Sequence, residues 1–231
     1  MDFHQALDRN GFALVPRLAA DDEIAALIGF FETNEMPRAT RRGETFGARN
    51  LLAFPEIQKI AALPAIARLL MPLLDTDYRV VRGLFFDKTA KANWPVLWHQ
   101  DLSLCVRERH DLPGWGNWSV KQGVQHVQPP ADTLARMVTM RLHLDACGPD
   151  NGPLRVIAGS HRNGCLSRSA IQQRSGETAA HTVLAQAGDA LFMRPLILHA
   201  SSPALRPHHR RVLHLEFAPA SLLPAELAWV A

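Results

Sequence analysis

Cysteine is scarce: Cys105, Cys147 and Cys165 are the three in 231 residues, an odd number with no Cys-x-x-Cys spacing. That argues against a disulfide framework and fits reduced thiols, as small core or surface residues, in a cytoplasmic protein. Long apolar runs are missing too. None reaches the roughly 18 residues of a membrane span, and the opening MDFHQALDRN has no signal-peptide core, so no membrane association is expected. Charge of one sign is not massed: 25 Lys and Arg against 22 Asp and Glu leave +3. No cationic run of the kind that binds nucleic acid occurs. The mildly basic balance suits anionic small molecules without identifying them. Repeats, low-complexity segments and Gly/Ser linkers are also missing. One domain over residues 1–231 is therefore expected, long enough for one substantial core.

What is present divides in two. Up to about residue 75 the chain reads mostly helical. Asp21 is placed to cap a helix over 22–33, with Ile24, Leu27, Ile28 and Phe31 on one face. A second apolar helix is expected over 63–70, after a polar, turn-rich loop at 38–50. From 77 to 219 short β-type runs alternate with Gly, Pro and Asp clusters. They fall at 79–86, 96–104, 137–146, 153–158, 181–185, 189–193, 196–199 and 210–217. That pattern predicts a sandwich or barrel in place of βαβ units. Between Cys105 and Pro130 a long loop is expected, a candidate lid carrying Trp115 and Trp118. The fold class expected is mainly β: a double-stranded β-helix, the cupin-like jelly roll, with flanking N-terminal helices.

Two neutral imidazoles and one carboxylate on one face of an octahedron make a non-haem Fe(II) site, leaving three positions for co-substrate and O2. His99 and Asp101 suit it, because residues i and i+2 of a strand point the same way. The pattern alone is weak: His143–Asp145 repeats it, and His214–Glu216 comes close. Spacing chooses among them. His99 to His199 leaves room for several strands and a lid, His143 to His199 leaves less, and no histidine follows His214. Arg210 then offers a permanently charged, bidentate fork for a carboxylate.

Four stretches around these residues, NWPVLWHQDLSL (93–104), DNGPLRVIAGSH (150–161), GDALFMRPLILHASS (188–202) and RRVLHLEF (210–217), resemble in order the phytanoyl-CoA dioxygenase family. Its members are Fe(II)- and 2-oxoglutarate-dependent oxygenases. The resemblance runs from about Asp77 to Pro219. It implies His99, Asp101 and His199 as iron ligands and Arg210 as partner of the distal carboxylate of 2-oxoglutarate. Ser201 is implied as a hydroxyl on the same carboxylate, and Arg211 is the rival for Arg210's part. Arg141 stands where some relatives carry a Trp beside the co-substrate. Facing inward, it would take a carboxylate of 2-oxoglutarate or of the substrate; facing outward, it is a surface Arg. Related halogenases have a small residue in place of Asp101, so its presence implies hydroxylation or another oxidation. The implied cofactors are Fe(II), 2-oxoglutarate and O2, and the implied partner is a small organic molecule. The implied reaction is C–H hydroxylation with release of succinate and CO2.

Arg49 and Arg82 are secondary anion candidates. His143, His161 and His214 read as hydrogen-bonded packing residues, His208 and His209 as loop residues, and Trp94 and Trp98 as core. Trp115 and Trp118 offer an apolar wall over a substrate. Two other readings stay open: a non-catalytic jelly-roll binding protein, and a cupin-like metalloenzyme with no use for 2-oxoglutarate or Arg210.

Overall fold

Apolar residues at helix and strand periods sort this chain into a helical layer and two facing sheets. The computed structural model describes residues 2–41 and 43–230. Helix α1 (Phe3–Asn10), strand β1 (Phe12–Val15) and helix α2 (Asp21–Thr33) come first. The hairpin of β2 (Arg38–Arg41) and β3 (Glu44–Ala48) leads to α3 (Pro55–Ala61), α4 (Pro64–Leu74) and β4 (Arg79–Asp87). Next are β5 (Val96–His99), β6 (Leu104–Val106), β7 (Gly116–Lys121), β8 (Val124–Gln128) and α5 (Ala131–Ala135). Strands β9 (Val138–His143) and β10 (Leu154–Val156) precede α6 (Arg168–Glu177). The order closes with β11 (His181–Val183), β12 (Ala190–Met193), β13 (His199–Ser201) and β14 (Arg211–Ala218).

The larger sheet runs β1-β12-β9-β14-β4-β3-β2 and the smaller β11-β10-β13-β5. Together they make the double-stranded β-helix that the strand pattern predicts. Side-chain alternation gives the larger sheet two unlike faces. Met140, Leu142, Phe192, Leu213, Leu215 and Phe217 join Leu7, Leu27, Phe30, Ile57, Ile66 and Leu70 of the helices in one core. Burying that apolar surface, at about 25 cal/mol per Å², seats the helical layer. Phe192 is fully buried there, edge-on to Phe3 with ring centroids 5.1 Å apart. Phe192→Ala should therefore destabilise the fold by about 3–5 kcal/mol, seen as a lower urea midpoint. A loss below about 1 kcal/mol would mean that this layer is not tightly packed.

The opposite face looks at the smaller sheet. Leu154, Val156, Val183, Leu191, Met193 and Ile197 fill the space near β12. Under β4, β9 and β14 the space is hollow and polar instead. Among the described residues no single helix is long and apolar enough to cross a membrane. Helices α3 and α4 pass that test only as a pair bent by 63°, and Ile57, Ile60, Ile66, Leu70 and Leu74 are buried in the core.

Several expectations are corrected. The second helix starts at Asp21, which is not its cap; Ala20 precedes it, with its N–H donating to Glu23 at 2.7 Å. Asp21 lies in the first turn, where negative charge complements the helix dipole. Residues 38–50 hold a hairpin, not a loop: β3 pairs with β4, Gly47 opposite Phe86 and Ala48 opposite Phe85. Backbone pairing at a sheet edge needs no apolar period, so none marked it. Arg42, in the same stretch, lies outside the described residues. The 63–70 helix continues to Leu74 through Pro72. The expected loop between Cys105 and Pro130 contains a third sheet, β6-β8-β7. Its hairpin turns at Gln122 and Gly123, with φ of 51° and 77°, a two-residue turn with a weaker signal than Asn-Gly. The 196–199 run joins the sheet only from His199. Helices α1 and α6 and strand β1 were not anticipated; α6 buries no residue, so it shows no apolar stripe.

Candidate active site

Three strands of the larger sheet build the floor of the hollow. Their register sets Arg82 of β4 opposite Glu216 of β14 and Thr139 of β9, and Leu84 opposite His214 and Arg141. A slip of one residue would turn this set toward the helices. Arg82 donates to Glu216 at 3.0 Å, and an Arg141 Nη1–H donates to His214 Nδ1 at 3.0 Å. An arginine can only donate, so Nδ1 of His214 is the acceptor and its Nε2 carries the proton. That proton points at Glu216 Oε1, 3.3 Å away. Arg141, His214, Glu216 and Arg82 thus form one buried chain of hydrogen bonds.

The smaller sheet forms the roof. His99 ends β5 and His199 begins β13, paired in register with ring centroids 4.1 Å apart. Each ring is fixed by its own chain: His99 Nδ1 lies 2.8 Å from Leu97 O, and His199 Nδ1 lies 2.9 Å from Ile197 O. A carbonyl only accepts, so both Nδ1 atoms carry the proton and both Nε2 lone pairs are available. They turn toward Asp101: His99 Nε2 is 3.9 Å from Oδ1 and His199 Nε2 is 3.6 Å from Oδ2. Asp101 Oδ2 is buried without a hydrogen-bond partner among the described residues, and one donor atom from each of the three lies within 4.8 Å of the others. Burial, then the neighbouring His99, lowers the His199 pKa to about 3. Burial pushes the Asp101 carboxyl up, but His199, His214, His99 and Arg82 together hold it below the carboxylate range. Two imidazoles that turn Nε2 toward a carboxylate held in its ionised form are a donor set for a divalent metal.

Strand alternation does not explain this pairing. The chain leaves β5 at His99, and Asp101 is placed by its N–H on Pro195 O at 2.9 Å. Gln100 points the other way, donating to Leu196 O at 2.6 Å and Gly164 O at 2.8 Å and accepting from Leu166 N. That staple, unnoticed in the sequence, sets the turn between the two acidic-site donors.

A second cluster lies past the end of β4. Arg210, buried, donates to the Gly152 carbonyl, and its Nε has no partner among the described residues. Lys88 donates to Ser202 O at 2.6 Å and to Ser201 Oγ at 3.4 Å. Burial first, and Arg210 second, lowers its pKa to about 8. The acid near this end, Asp87, is held by His209 at 2.7 Å. Arg211 faces the other way, bound to Asp145 at 2.8 Å and Glu32 at 2.7 Å. Two inward cations beside a hydroxyl form a cradle for a carboxylate. Lys88 was missed in the sequence, although Arg82, Leu84, Phe86 and Lys88 keep one period of two.

The family model for phytanoyl-CoA dioxygenase (PhyH) matches residues 7–212, which include the three metal donors, Lys88, Ser201 and Arg210 and end just before His214 and Glu216. The chain belongs to the phytanoyl-CoA dioxygenase family. No curated protein matches it. Among solved structures it is similar to HygX from Streptomyces hygroscopicus with nickel and 2-oxoglutarate bound, at 17% identity and TM-score 0.68, covering 95% of this chain and 87% of that one. It is similar to AviO1 from Streptomyces viridochromogenes Tue57 at 21% identity and TM-score 0.65, covering 97% and 98%. The alpha-ketoglutarate-dependent epimerase SnoN from nogalamycin biosynthesis matches at 17% identity and TM-score 0.68, covering 94% and 81%. At such identities the likeness is one of fold.

In this family member a cavity of about 420 Å³ between the sheets is lined by His99, Asp101, His199, Arg141, Ser201 and Arg210. These six residues, implied as metal ligands and co-substrate partners by the family resemblance, therefore meet in one place. Arg141 faces inward, where alternation had left either face open. Arg49 and Arg82 line the same cavity. Trp115 and Trp118 do not; they pack with Leu104, Val127 and Trp229 against the third sheet, so the wall is Phe46, Phe86 and Trp94 instead. His214 lines the cavity as well as packing in it, and His161 is tied to Asp8 O at 3.1 Å.

Proposed function

We propose that this protein is an Fe(II)- and 2-oxoglutarate-dependent oxygenase that hydroxylates an unactivated C–H bond of a small organic molecule, releasing succinate and CO2. The observation that carries the reading is the His99, Asp101 and His199 donor set, with both Nδ1 atoms tied back to the chain and a carboxylate oxygen left unpartnered. These residues would hold the metal. Bound Fe(II) with 2-oxoglutarate supplies O2 activation and the oxidant, with decarboxylation of the co-substrate.

The chain's own part is placement. Arg210, Lys88 and Ser201 bind the distal carboxylate and set how deep the co-substrate reaches. Arg141, held by His214, presents its remaining N–H groups beside the metal ligands. Phe46, Leu84, Phe86 and Trp94 exclude water from the bond to be oxidised. HygX has been solved with nickel, 2-oxoglutarate and hygromycin B bound, which supports a small-molecule substrate here; SnoN is an epimerase, so hydroxylation is a narrower claim than the family.

Succinate formation that requires both Fe(II) and O2 tests the co-substrate, and a product heavier by one oxygen atom tests hydroxylation. A product of unchanged mass would point to epimerisation, and turnover without succinate to a cupin-like enzyme. Lys88 adds a pH dependence. Its pKa of about 8 means that it loses its proton as pH rises through 8, whereas a bound dianion favours the protonated form. Affinity for 2-oxoglutarate should be level below that pH and fall above it, by at most about tenfold per pH unit. Binding titrations on either side of pH 8 with wild type and Lys88→Met check this; the same slope in the variant would acquit Lys88.

A further inference from the structure

The cavity has a second cationic end that the co-substrate does not reach. Arg82 and Lys88 are six residues apart on one extended strand, about 20 Å at the usual rise, far longer than a five-carbon diacid. With Arg210 and Lys88 engaged at one end, the cations at the other need another partner. Arg82 already has one, Glu216 at 3.0 Å. Arg49 and Lys121 also line the cavity, and among the described residues neither has a carboxylate within the 4.0 Å of an ion pair. Burial, and then the neighbouring Arg82, lowers the pKa of both. Partly desolvated like charges without a counter-ion are unfavourable unless an anion joins them.

Two hairpins bring these cations to one mouth. Arg49 directly follows β3, whose Phe46 stacks toward Phe86 and meets Trp94 edge-on at 5.7 Å. Lys121 ends β7, and the adjacent Gln122 side chain donates to Arg38 O in β2. The hairpin tip therefore rests on the β2–β3 hairpin, with Lys121 over the cavity. The same cavity that holds the metal donors is thus lined both by the aromatic wall of Phe46, Phe86 and Trp94 and by two cations that, among the described residues, have no carboxylate partner.

We propose that the substrate carries an oxyanion, a carboxylate or a phosphate ester, which Arg49 and Lys121 bind while its apolar body lies along Phe46, Phe86 and Trp94. This rests on the oxygenase reading for the word substrate, but the anion site itself needs neither metal nor 2-oxoglutarate. Glu216 keeps Arg82 neutralised and so confines recognition to Arg49 and Lys121.

The test is calorimetric titration of the full chain with phenylacetate, phenyl phosphate and the neutral isostere phenylacetamide, with and without anaerobic Fe(II) and 2-oxoglutarate. At least one oxyanion should bind tenfold or more tighter than the amide and weaken with salt; the tighter of the two identifies carboxylate or phosphate. Arg49→Gln and Lys121→Gln should each weaken it about tenfold, and the double variant should no longer tell anion from amide. Lys121 is an exposed hairpin-tip residue, so its replacement does not threaten folding. Equal binding of amide and oxyanions, binding untouched by either substitution, or no oxyanion binding at all would overturn the proposal. Oxyanion selectivity in a protein that fails to bind Fe(II) and 2-oxoglutarate would sink the oxygenase reading and leave the anion site standing.

Discussion

His199→Ala is expected to abolish Fe(II) binding and coupled turnover. The residue is 3% exposed and supplies one of the three donor atoms that cluster among the described residues. Loss of an outer-shell partner of a metal ligand already weakens metal binding by about 10–100-fold, so removing a ligand should exceed that. The readout is an anaerobic titration with Fe(II) and 2-oxoglutarate that follows the visible metal-to-ligand charge-transfer band. Wild type should develop the band, and His199→Ala should not. His143→Ala is the control for lost packing: that residue is as buried, at 3%, but, contrary to the hydrogen-bonded residue expected, its ring nitrogens meet no partner among the described residues, and it lies outside the donor set. It should keep the band. A band that survived in His199→Ala would remove the triad assignment. A band lost equally in both would reduce the effect to folding.

The particular residues show how much of this was legible in the sequence. The fold class was, because Val, Leu and Phe at period two recur between turn residues from β4 to β14 and leave one face apolar. The third sheet was not. Its strands β7 and β8 are short and mostly polar, and pairing between them is written in backbone hydrogen bonds that composition does not display. Choosing His99 over His143 rested on separation along the chain, and the structure sets His99 against His199 across paired strands. The stated reason for Asp101, alternation on a strand, was wrong, since a turn held by Gln100 places it. His214 and Glu216 were set aside as a chance pair. Their importance comes from register, because only the alignment of β14 with β4 and β9 turns them toward Arg82 and Arg141. Register between distant strands is a tertiary property with no local signature.

Arg210→Ala is expected to raise the 2-oxoglutarate requirement by about 10–150-fold, the range of a charge-assisted hydrogen bond worth about 1.5–3 kcal/mol, with Fe(II) affinity retained. Lys88 and Ser201 stay in place, so binding should weaken without vanishing. Arg210→Lys should recover little of the loss, because an ammonium keeps the charge but not the planar fork. The comparison with Arg211→Ala is the more searching one. Arg211 is its chain neighbour and equally cationic, yet it is spent on Asp145 and Glu32 on the far face of the sheet. Its removal should lower thermal stability and leave the 2-oxoglutarate titration unmoved. If the two variants exchanged these effects, β14 would have to enter the sheet one residue out of register, and His214 and Glu216 would leave the cavity with it. If neither changed the titration, Arg141 would hold the co-substrate, and the Arg141→Ala variant would then carry the whole loss.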